Sequence, residues 1–522
     1  MRADVLVVGG GLGGVAAALA AARAGRSVIL TEEFDWLGGQ LTSQAVPPDE
    51  HSWIEQFGAT ASYRALRDGI RDYYRRHHPL TARSRAWRDL NPGAGWVSRL
   101  CHEPRVALAV IEEMLAPHRG SGRLTVLQPY RPVGAETDGD RVTAVTVAHR
   151  DSGEVIDLTA PYIVDATETG ELLPLTGAEY VTGFESREET GEPSAPAEAQ
   201  PLNMQAVSVC FALDHVDGDH TIEKPAGYDF WRDYQPPFWG DKLLSWRSPH
   251  PRTLEMVERS FTPNPDDDPL EVNADQRLNP GDGNLWTFRR IAARRNFTEG
   301  AYASDITLVN WPMIDYFEGP VIDVPDAATH LARARDLSYS VLYWMQTEAG
   351  FPGLRLRGDV TGSADGLAQA PYIRESRRIK AEYTVVEQDL SLAVRPKAAR
   401  YHDSVGVGMY RIDLHPSTGG DNYIDVGSCP FEIPLGAMIP RRLENLLPGG
   451  KNIGTTHITN GSYRLHPVEW NVGEVAGELA DFCLARGVPP RAVRNDPGLL
   501  ADFQDRLVAA GVQLRWPEVA GY

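Results

Sequence analysis

A strand, a glycine-rich turn and an alanine-rich helix follow one another without a gap at the start of this chain, and few folds accommodate that succession. Residues 4–8 (DVLVV) read as a short buried strand, residues 12–24 (LGGVAAALAAARA) as a helix ending at Gly25, and residues 27–31 (SVILT) as a second buried strand. Gly9-x-Gly11-x-x-Gly14 stands at the join of strand and helix. In such a βαβ unit the first glycine permits the tight turn, the second lets the backbone approach a pyrophosphate, and the third lets helix and strand pack closely. The helix N-terminus then offers unpaired N–H groups to phosphate charge. Glu32 closes the second strand, where a carboxylate accepts hydrogen bonds from ribose hydroxyls and repels a 2′-phosphate. A dinucleotide is expected there, and NADP is disfavoured.

The rest of the chain must complete that site. At 522 residues it holds roughly three domains' worth of sequence, or two intertwined domains. A hydrophobic share of 42% with 23% charged residues describes a globular protein with ample core. A net charge of −20 opposes nucleic acid and anionic membrane partners, and no basic run of the phosphate-binding kind appears. The four cysteines, Cys101, Cys210, Cys429 and Cys483, lie far apart without a CxxC pair, which argues against a disulfide scaffold or zinc site and makes a reducing cytoplasm the natural compartment. The apolar stretch from Val5 to Ala22 is mostly glycine and alanine without a charged leader, so it is not read as a signal or membrane segment. Asp266, Asp267 and Asp268 lack metal-type spacing, and no metal is expected.

Residues 46–100, polar and aromatic, read as an insertion with a helix over 63–76; another helix starts at Pro104. Strand-like runs at 124–133, 141–149 and 154–167 suggest a meander returning to a parallel sheet. Acidic stretches at 185–200 and 261–284 read as exposed loops. Helices are expected over 326–350, over 372–386 and around 472–487. The division that follows is residues 1–180 for the first part of a cofactor domain, 181–430 for a mixed α/β substrate domain, 431–490 for a return to the cofactor domain and 491–522 for a tail.

The segment ADVLVVGGGLGGVAAALAAARAGRSVILTEEFDWLGGQLTSQ (residues 3–44) resembles the FAD-binding start of the glutathione-reductase-like flavoprotein superfamily. Together with VPPDEHSWIEQFGATASYRALRDGIRDYY, GWVSRLCHEPRVAL, IVDATETGELLPLTGAEY and YIRESRRI, the chain is similar over nearly its whole length to the bacterial group named FAD-dependent oxidoreductase. The resemblance implies an α/β fold with a discontinuous Rossmann-like FAD domain and FAD as cofactor. It implies that Gly38, Gly39, Gln40 and Leu41 approach the pyrophosphate and isoalloxazine end, that Ala166 and Thr167 pass near the adenine ribose, and that the Val133 backbone meets adenine. Near the C-terminus, LLPGGKNIGTTH and WNVGEVAG resemble the segment closing over the ribityl chain, which nominates Gly454 and, at a helix N-terminus facing the flavin, Asn471, Val472 and Gly473. A second strand-linked GxGxxG and a CxxC near the flavin are both missing, so nicotinamide-driven chemistry is not supported.

Candidate catalytic groups are densest in THITNGSYRLHPVEW (residues 456–470). His457 and His466 are candidates to accept a proton as hydride leaves a substrate, and Arg464 to hold a carboxylate or enolate-like oxygen. The local alternative makes His466 a loop-ordering residue and pairs Arg464 with Glu469. Arg374 and Arg378, four apart on the expected helix, are candidates for holding an anion or for an ion-pair network with Glu375. Cys101, before a helix start, is expected to be a packing residue. The expected reaction is oxidation of a small polar organic molecule, with oxygen or another acceptor reoxidising the flavin. A flavin-dependent reductase or hydroxylase supplied by a nicotinamide or partner, and a non-catalytic binding module, remain open, as does oligomeric state.

Overall fold

The computed structural model describes residues 1–271 and 283–522. The glycine turn joins β1 (Val5–Val8) to α1 (Leu12–Arg23), and the chain returns as β2 (Val28–Thr31), with every strand residue buried. α2 (Ala61–His77) and α3 (Pro104–Gly120) follow, Thr60 capping the first by accepting from the Tyr63 N–H. β3 (Leu124–Leu127) then pairs with β2. β4 (Tyr130–Asp138), β5 (Arg141–His149) and β6 (Val155–Leu158) form a separate antiparallel sheet, and β7 (Tyr162–Asp165) returns beside β1.

Far along the chain, after the long helix α4 (Ala327–Gln346), β8 (Leu446–Pro448) lies down next to β7. The result is a five-stranded, wholly parallel sheet in the order β8-β7-β1-β2-β3. α5 (His457–Tyr463) and α6 (His466–Arg486) follow it. A parallel sheet is covered on both faces, which explains why its strands are apolar throughout rather than alternating. Between β7 and β8 the chain builds a four-stranded antiparallel sheet from Phe211–His215, Arg290–Ala292, Ile306–Val309 and Leu354–Leu356.

α1 and α6 cross with almost no room between them. A Cβ added to Gly473 would stand 1.9 Å from the Gly13 carbonyl oxygen, and one added to Gly477 would stand 2.3 Å from that of Ala17. Alanine and glycine on both helices therefore let two backbones meet where larger side chains would hold them apart.

Four expectations change. Residues 372–386 are not a helix: Tyr372 bridges Ser208, Arg378–Ile379 pairs with Tyr180–Val181, and Val385 bridges Thr455. Arg374, Glu375, Ser376 and Arg378 are all buried, so the segment is a non-helical chain whose first half is largely enclosed, and its i, i+4 arginines share no helix face. α6 begins at His466 rather than near residue 472, because Pro467 in its first turn suits a helix start. The first strand run divides at Pro129, giving β3 to the parallel sheet and β4 to the antiparallel one. The acidic stretch at 185–200 is exposed over most of its length but not throughout, since Glu185 and Glu192 are buried. Glu185 pairs with Arg378 at 2.9 Å, and Glu192 accepts from the Thr456 hydroxyl at 2.6 Å. Composition alone does not reveal such partners. Of the second acidic stretch, residues 272–282 lie outside the described residues, and Asp266, Asp267 and Asp268 pair with Arg295, Arg290 and Arg83.

The expected insertion carries a buried ion cluster. Arg67 sits 2.8 Å from Glu50 and 2.7 Å from Glu55, while Arg71 sits 2.6 Å from Glu55. Burial opposes ionisation of Glu55, but the two guanidiniums outweigh it and hold the carboxyl well below its usual range. Among the described residues no helix is long and apolar enough to cross a membrane.

Candidate cofactor and substrate site

The cleft at the carboxyl ends of β1, β2 and β7 is made largely of backbone. Gly9 takes a φ of +97°, and a Cβ there would lie 2.3 Å from the Ala166 carbonyl oxygen; a Cβ on Gly14 would lie 1.9 Å from that of Gly9. Gly11 differs: the nearest atom to its added Cβ is a Glu168 carboxylate oxygen at 3.2 Å, so its open side faces charge rather than backbone. No side chain caps α1, and the Gly13 N–H reaches Glu469 Oε1 at 3.4 Å. This helix end has the features that bind anions: backbone donors, a favourable dipole and space.

Glu32 accepts from the Gly10 N–H at 2.8 Å and from the Phe34 N–H at 2.8 Å. Burial pushes its carboxyl up to about 8. Gly38 and Gly39 both adopt positive φ, and the Gly38 N–H donates to the Gly10 carbonyl at 2.8 Å, which folds the second glycine turn onto the first. Gln40 and Leu41 follow in a short 3₁₀ turn, where the Gln40 amide donates to the Arg464 carbonyl at 3.1 Å and also to Glu469. Ala166 is held by a 2.8 Å bond from its N–H to the Val8 carbonyl, and Asp165 accepts from the Thr167 N–H and hydroxyl at 3.1 and 2.7 Å.

These groups surround a cleft that Gly9, Gly11, Glu32, Gly39, Ala166 and Thr167 help to line. Gln44, also in its lining, has both amide atoms buried without a partner, as a side chain has when its ligand is not present. Glu168 forms an ion pair with Lys451 at the α1 end, and Glu469 completes the cluster. Burial pushes Glu469 up to about 7, Glu168 adding to the push and Lys451 opposing it.

A second cavity lies between the antiparallel sheet and the segment from 410 to 425. Its walls include Phe288, Trp311, Tyr410 and Tyr423, with Arg289, Asp413 and His415 among the polar groups. Tyr372 links cavity and cleft: Pro371 and Ile373 beside it line the cleft, and its hydroxyl accepts from Arg464 at 3.2 Å. Arg464 in turn holds Asp413 at 3.1 Å.

A family model described as FAD dependent oxidoreductase matches residues 4–507. The chain belongs to that family. Its cofactor is FAD. The cleft fits it, offering backbone donors at a helix end, a ribose-side carboxylate and an unpartnered amide. No curated protein matches this FAD dependent oxidoreductase in sequence. Among solved structures, a geranylgeranyl bacteriochlorophyll reductase-like protein from Thermoplasma acidophilum aligns over 98% of this chain and 85% of its own at 11% identity, with a TM-score of 0.32. The flavin-dependent monooxygenase PieE, solved with FAD and substrate, aligns over 41% of this chain at 18% identity and a TM-score of 0.25. The glycerol-3-phosphate dehydrogenase from Bacillus halodurans complexed with FAD aligns over 41% of this chain and 40% of its own at 15% identity and a TM-score of 0.24. The chain spans 35% of PieE's length and 47% of that of the flavin-dependent brominase Bmp2. TM-scores of this size say nothing about the reaction.

Within this FAD dependent oxidoreductase the remaining nominated residues separate. Val133 is exposed on β4, and its neighbour Pro132 lines the cleft. Gly454 packs against Ala381 and Tyr383, while Gly449 and Gly450 lie nearer the phosphate turn, against Ala166 and Glu469. Asn471, Val472 and Gly473 sit inside α6 rather than at its start, which lies at His466, and the Val468 and Glu469 N–H groups there donate to the Leu465 carbonyl. Arg464 pairs with Asp413, and Glu469 is taken by Gln40 and Gly13, so the local Arg464–Glu469 pair does not form. Cys101 is buried and its thiol pushed up to about 12 by burial, as suits a packing residue.

The histidines separate further. His457 is buried, stacked on Phe184 and 3.0 Å from Glu375. His466 Nδ1 accepts from the Asp49 N–H at 3.0 Å, which leaves the proton of the neutral ring on Nε2, and burial holds it neutral. Arg374 is buried 2.9 Å from Asp315. Sequence reasoning missed Asp49, Arg289, Asp315, His415 and Tyr423. No motif joins them; only Asp49 lies in a segment singled out beforehand.

Proposed function

We propose that this family member is a flavin oxidase or dehydrogenase that oxidises a small polar organic substrate by hydride transfer to flavin N5, with oxygen or another acceptor taking the electrons. The observation that carries this reading is the uncapped N-terminus of α1, opening onto the cleft through Gly11 and Gly39. We assign residues 1–180, with 46–100 as an insertion, and 431–490 to one discontinuous, glutathione-reductase-like FAD domain, residues 181–430 to a mixed α/β substrate domain, and 491–522 to a tail. Completion of the parallel sheet by β8 supports the discontinuity. Four free buried cysteines fit a reducing cytoplasm.

FAD, when bound, supplies the hydride acceptor. Gly9 and Gly11 would admit the pyrophosphate, with Gly14 letting α1 pack close behind the turn, and Glu32 would take the ribose hydroxyls. Gly38, Gly39, Gln40 and Leu41 would approach the flavin end, and Val133, Ala166 and Thr167 would border the adenine side. The start of α6 would face the flavin in place of Asn471, Val472 and Gly473, and Gly454 would shape the turn before α5. Arg464 orients Tyr372 and Asp413 at the junction of cleft and cavity, and His466 presents its Nε2–H as a donor. Arg374 and His457 hold the buried carboxylates Asp315 and Glu375. A substrate that loses hydride from carbon also loses a proton from its O–H or N–H, so a base facing the cavity completes the balance.

The purified chain should be yellow and should bleach when mixed anaerobically with an oxidisable substrate. A colourless chain that takes up no added FAD would overturn the reading, and rapid bleaching by NADH or NADPH alone would replace it with the reductase or hydroxylase alternative.

A further inference from the structure

His415 and Arg289 lie on the second cavity, and each is held in a state that the surrounding structure does not use. The His415 Nδ1 is 2.6 Å from Asp315 Oδ2. Asp315 is fully buried, accepts from the Ser208 hydroxyl at 2.7 Å and pairs with Arg374 at 2.9 Å. Burial opposes its ionisation, but Arg374 and His415 outweigh that effect and hold the carboxyl down at about 2. An ionised carboxylate only accepts hydrogen bonds, so Nδ1 carries a proton, and a proton given up by a ligand would go to Nε2. Asp413 stands 3.8 Å from Nε2, too far for a hydrogen bond but close enough to stabilise an imidazolium. His466 is the mirror case, with its lone pair used and its proton outward. His457 has an Nε2 without a partner among the described residues, yet it lines neither the cleft nor the cavity.

Arg289 is a largely enclosed guanidinium that lies over the Phe288 ring at 5.3 Å and makes one long ion pair, 3.3 Å to Asp49, while its Nε is buried without a hydrogen-bond partner among the described residues. A guanidinium has five donors, and leaving them unused away from water is costly. Two more lining residues carry unpartnered buried donors, Trp311 at Nε1 and Tyr423 at its hydroxyl, and burial keeps the Tyr423 phenol protonated. Among the described residues, then, Arg289, Trp311 and Tyr423 bring unpartnered donors to the lining of a cavity that several aromatic rings wall. The occupant that matches is flat, apolar along its faces and anionic at one end.

We infer that this cavity takes an aromatic carboxylate, with its carboxylate on Arg289 and with His415 Nε2, oriented by Asp315, as acceptor of the proton that the substrate's hydroxyl gives up. The assignment rests on the proposed oxidation for its place in a reaction, but binding to the cavity is tested without FAD. The proton transfer breaks the substrate O–H bond and forms N–H on His415, and the electron pair stays on the oxygen.

The probe is 4-hydroxy-3-nitrobenzoate, whose phenol colours on ionisation, titrated into the FAD-free full chain by calorimetry and absorbance at a pH below its own phenol pKa. The unmodified chain should bind it with release of the phenol proton, seen as growth of the phenolate band, and should bind the corresponding benzamide about 10- to 100-fold more weakly. Arg289→Gln should weaken the carboxylate by a similar factor and leave the amide unchanged. His415→Asn should bind the carboxylate within about threefold of the unmodified chain but abolish the band. Equal affinity for carboxylate and amide on the unmodified chain would overturn the inference, as would a band that survives in His415→Asn. FAD uptake is measured on the same preparations: a chain that takes FAD but fails to discriminate the probes sinks this inference alone, and one that discriminates but takes no FAD sinks only the oxidoreductase mechanism.

Discussion

The cofactor cleft and the second cavity are built from different materials. The cleft is shaped by main chain: glycines whose missing Cβ atoms let one backbone touch another, and N–H groups aimed by a helix. The cavity is shaped by side chains from distant segments, among them Arg289, Trp311, His415 and Tyr423, with ion pairs such as Arg289–Asp49 and His415–Asp315 reaching between those segments. A backbone-built site tolerates almost no added atom but depends little on any one polar group. A side-chain-built site should behave the opposite way, accepting changes of shape and failing when a charge is left alone.

The strongest attempt to break this contrast is Gly14→Val, which places carbon 1.9 Å from the Gly9 carbonyl oxygen. It should destabilise the chain by more than about 3 kcal/mol and abolish FAD uptake, measured by denaturant titration and flavin absorbance. A stable, yellow Gly14→Val chain would mean that the turn is not the rigid element described. Next in size is Asp315→Leu, which strands the buried Arg374. A loss of about 3 kcal/mol in unfolding free energy is expected, because a buried charge without its partner is costly. Asp315→Asn should lose less.

A third test concerns pH in the cleft. Glu469 has its carboxyl raised to about 7, so in the free chain it is largely neutral below that value and charged above it. An anionic pyrophosphate at the same helix end favours the protonated form further, so FAD binding takes up a proton and affinity falls as pH rises through about 7, by up to about tenfold. Fluorescence-monitored FAD titrations between about pH 6 and 8 should show this slope, and Glu469→Gln should flatten it. A slope unchanged in that variant would remove Glu469 from the phosphate site. The smallest effect belongs to Tyr423→Phe, which deletes a buried hydroxyl that has no partner. Stability should change by less than about 1 kcal/mol, in either direction, in a thermal scan.

The same contrast explains what could be read in advance. The βαβ unit is legible because every requirement, from Gly9 to Glu32, falls within a short stretch where spacing alone carries the geometry. Ala166 and Thr167 were named through the family resemblance, and they line the same cleft because they directly follow a strand of that sheet. Residues 372–386 misled because arginines four apart suggest a helix face, whereas the segment's burial comes from partners at 180, 208 and 455 that no local pattern announces. Asp315 and His415 are 100 residues apart, and their bond depends on two segments meeting across the substrate region. Arg464 was singled out, but its partner, Asp413, was not. Chemistry made by distant side chains leaves little trace in any single window of sequence.

One consequence of the crossing between α1 and α6 concerns synthesis. The Gly13–Glu469 contact joins residues 456 positions apart, and Gly473 seats against Gly13 with no clearance. A ribosome makes the phosphate turn first and the helix that covers it near the end. For most of translation the alanine-rich helix and the open flank of β7 have no cover, which is the state in which nascent parallel sheets recruit chaperones or aggregate. Cofactor loading is then a late event, completed only after the chain has emerged past α6.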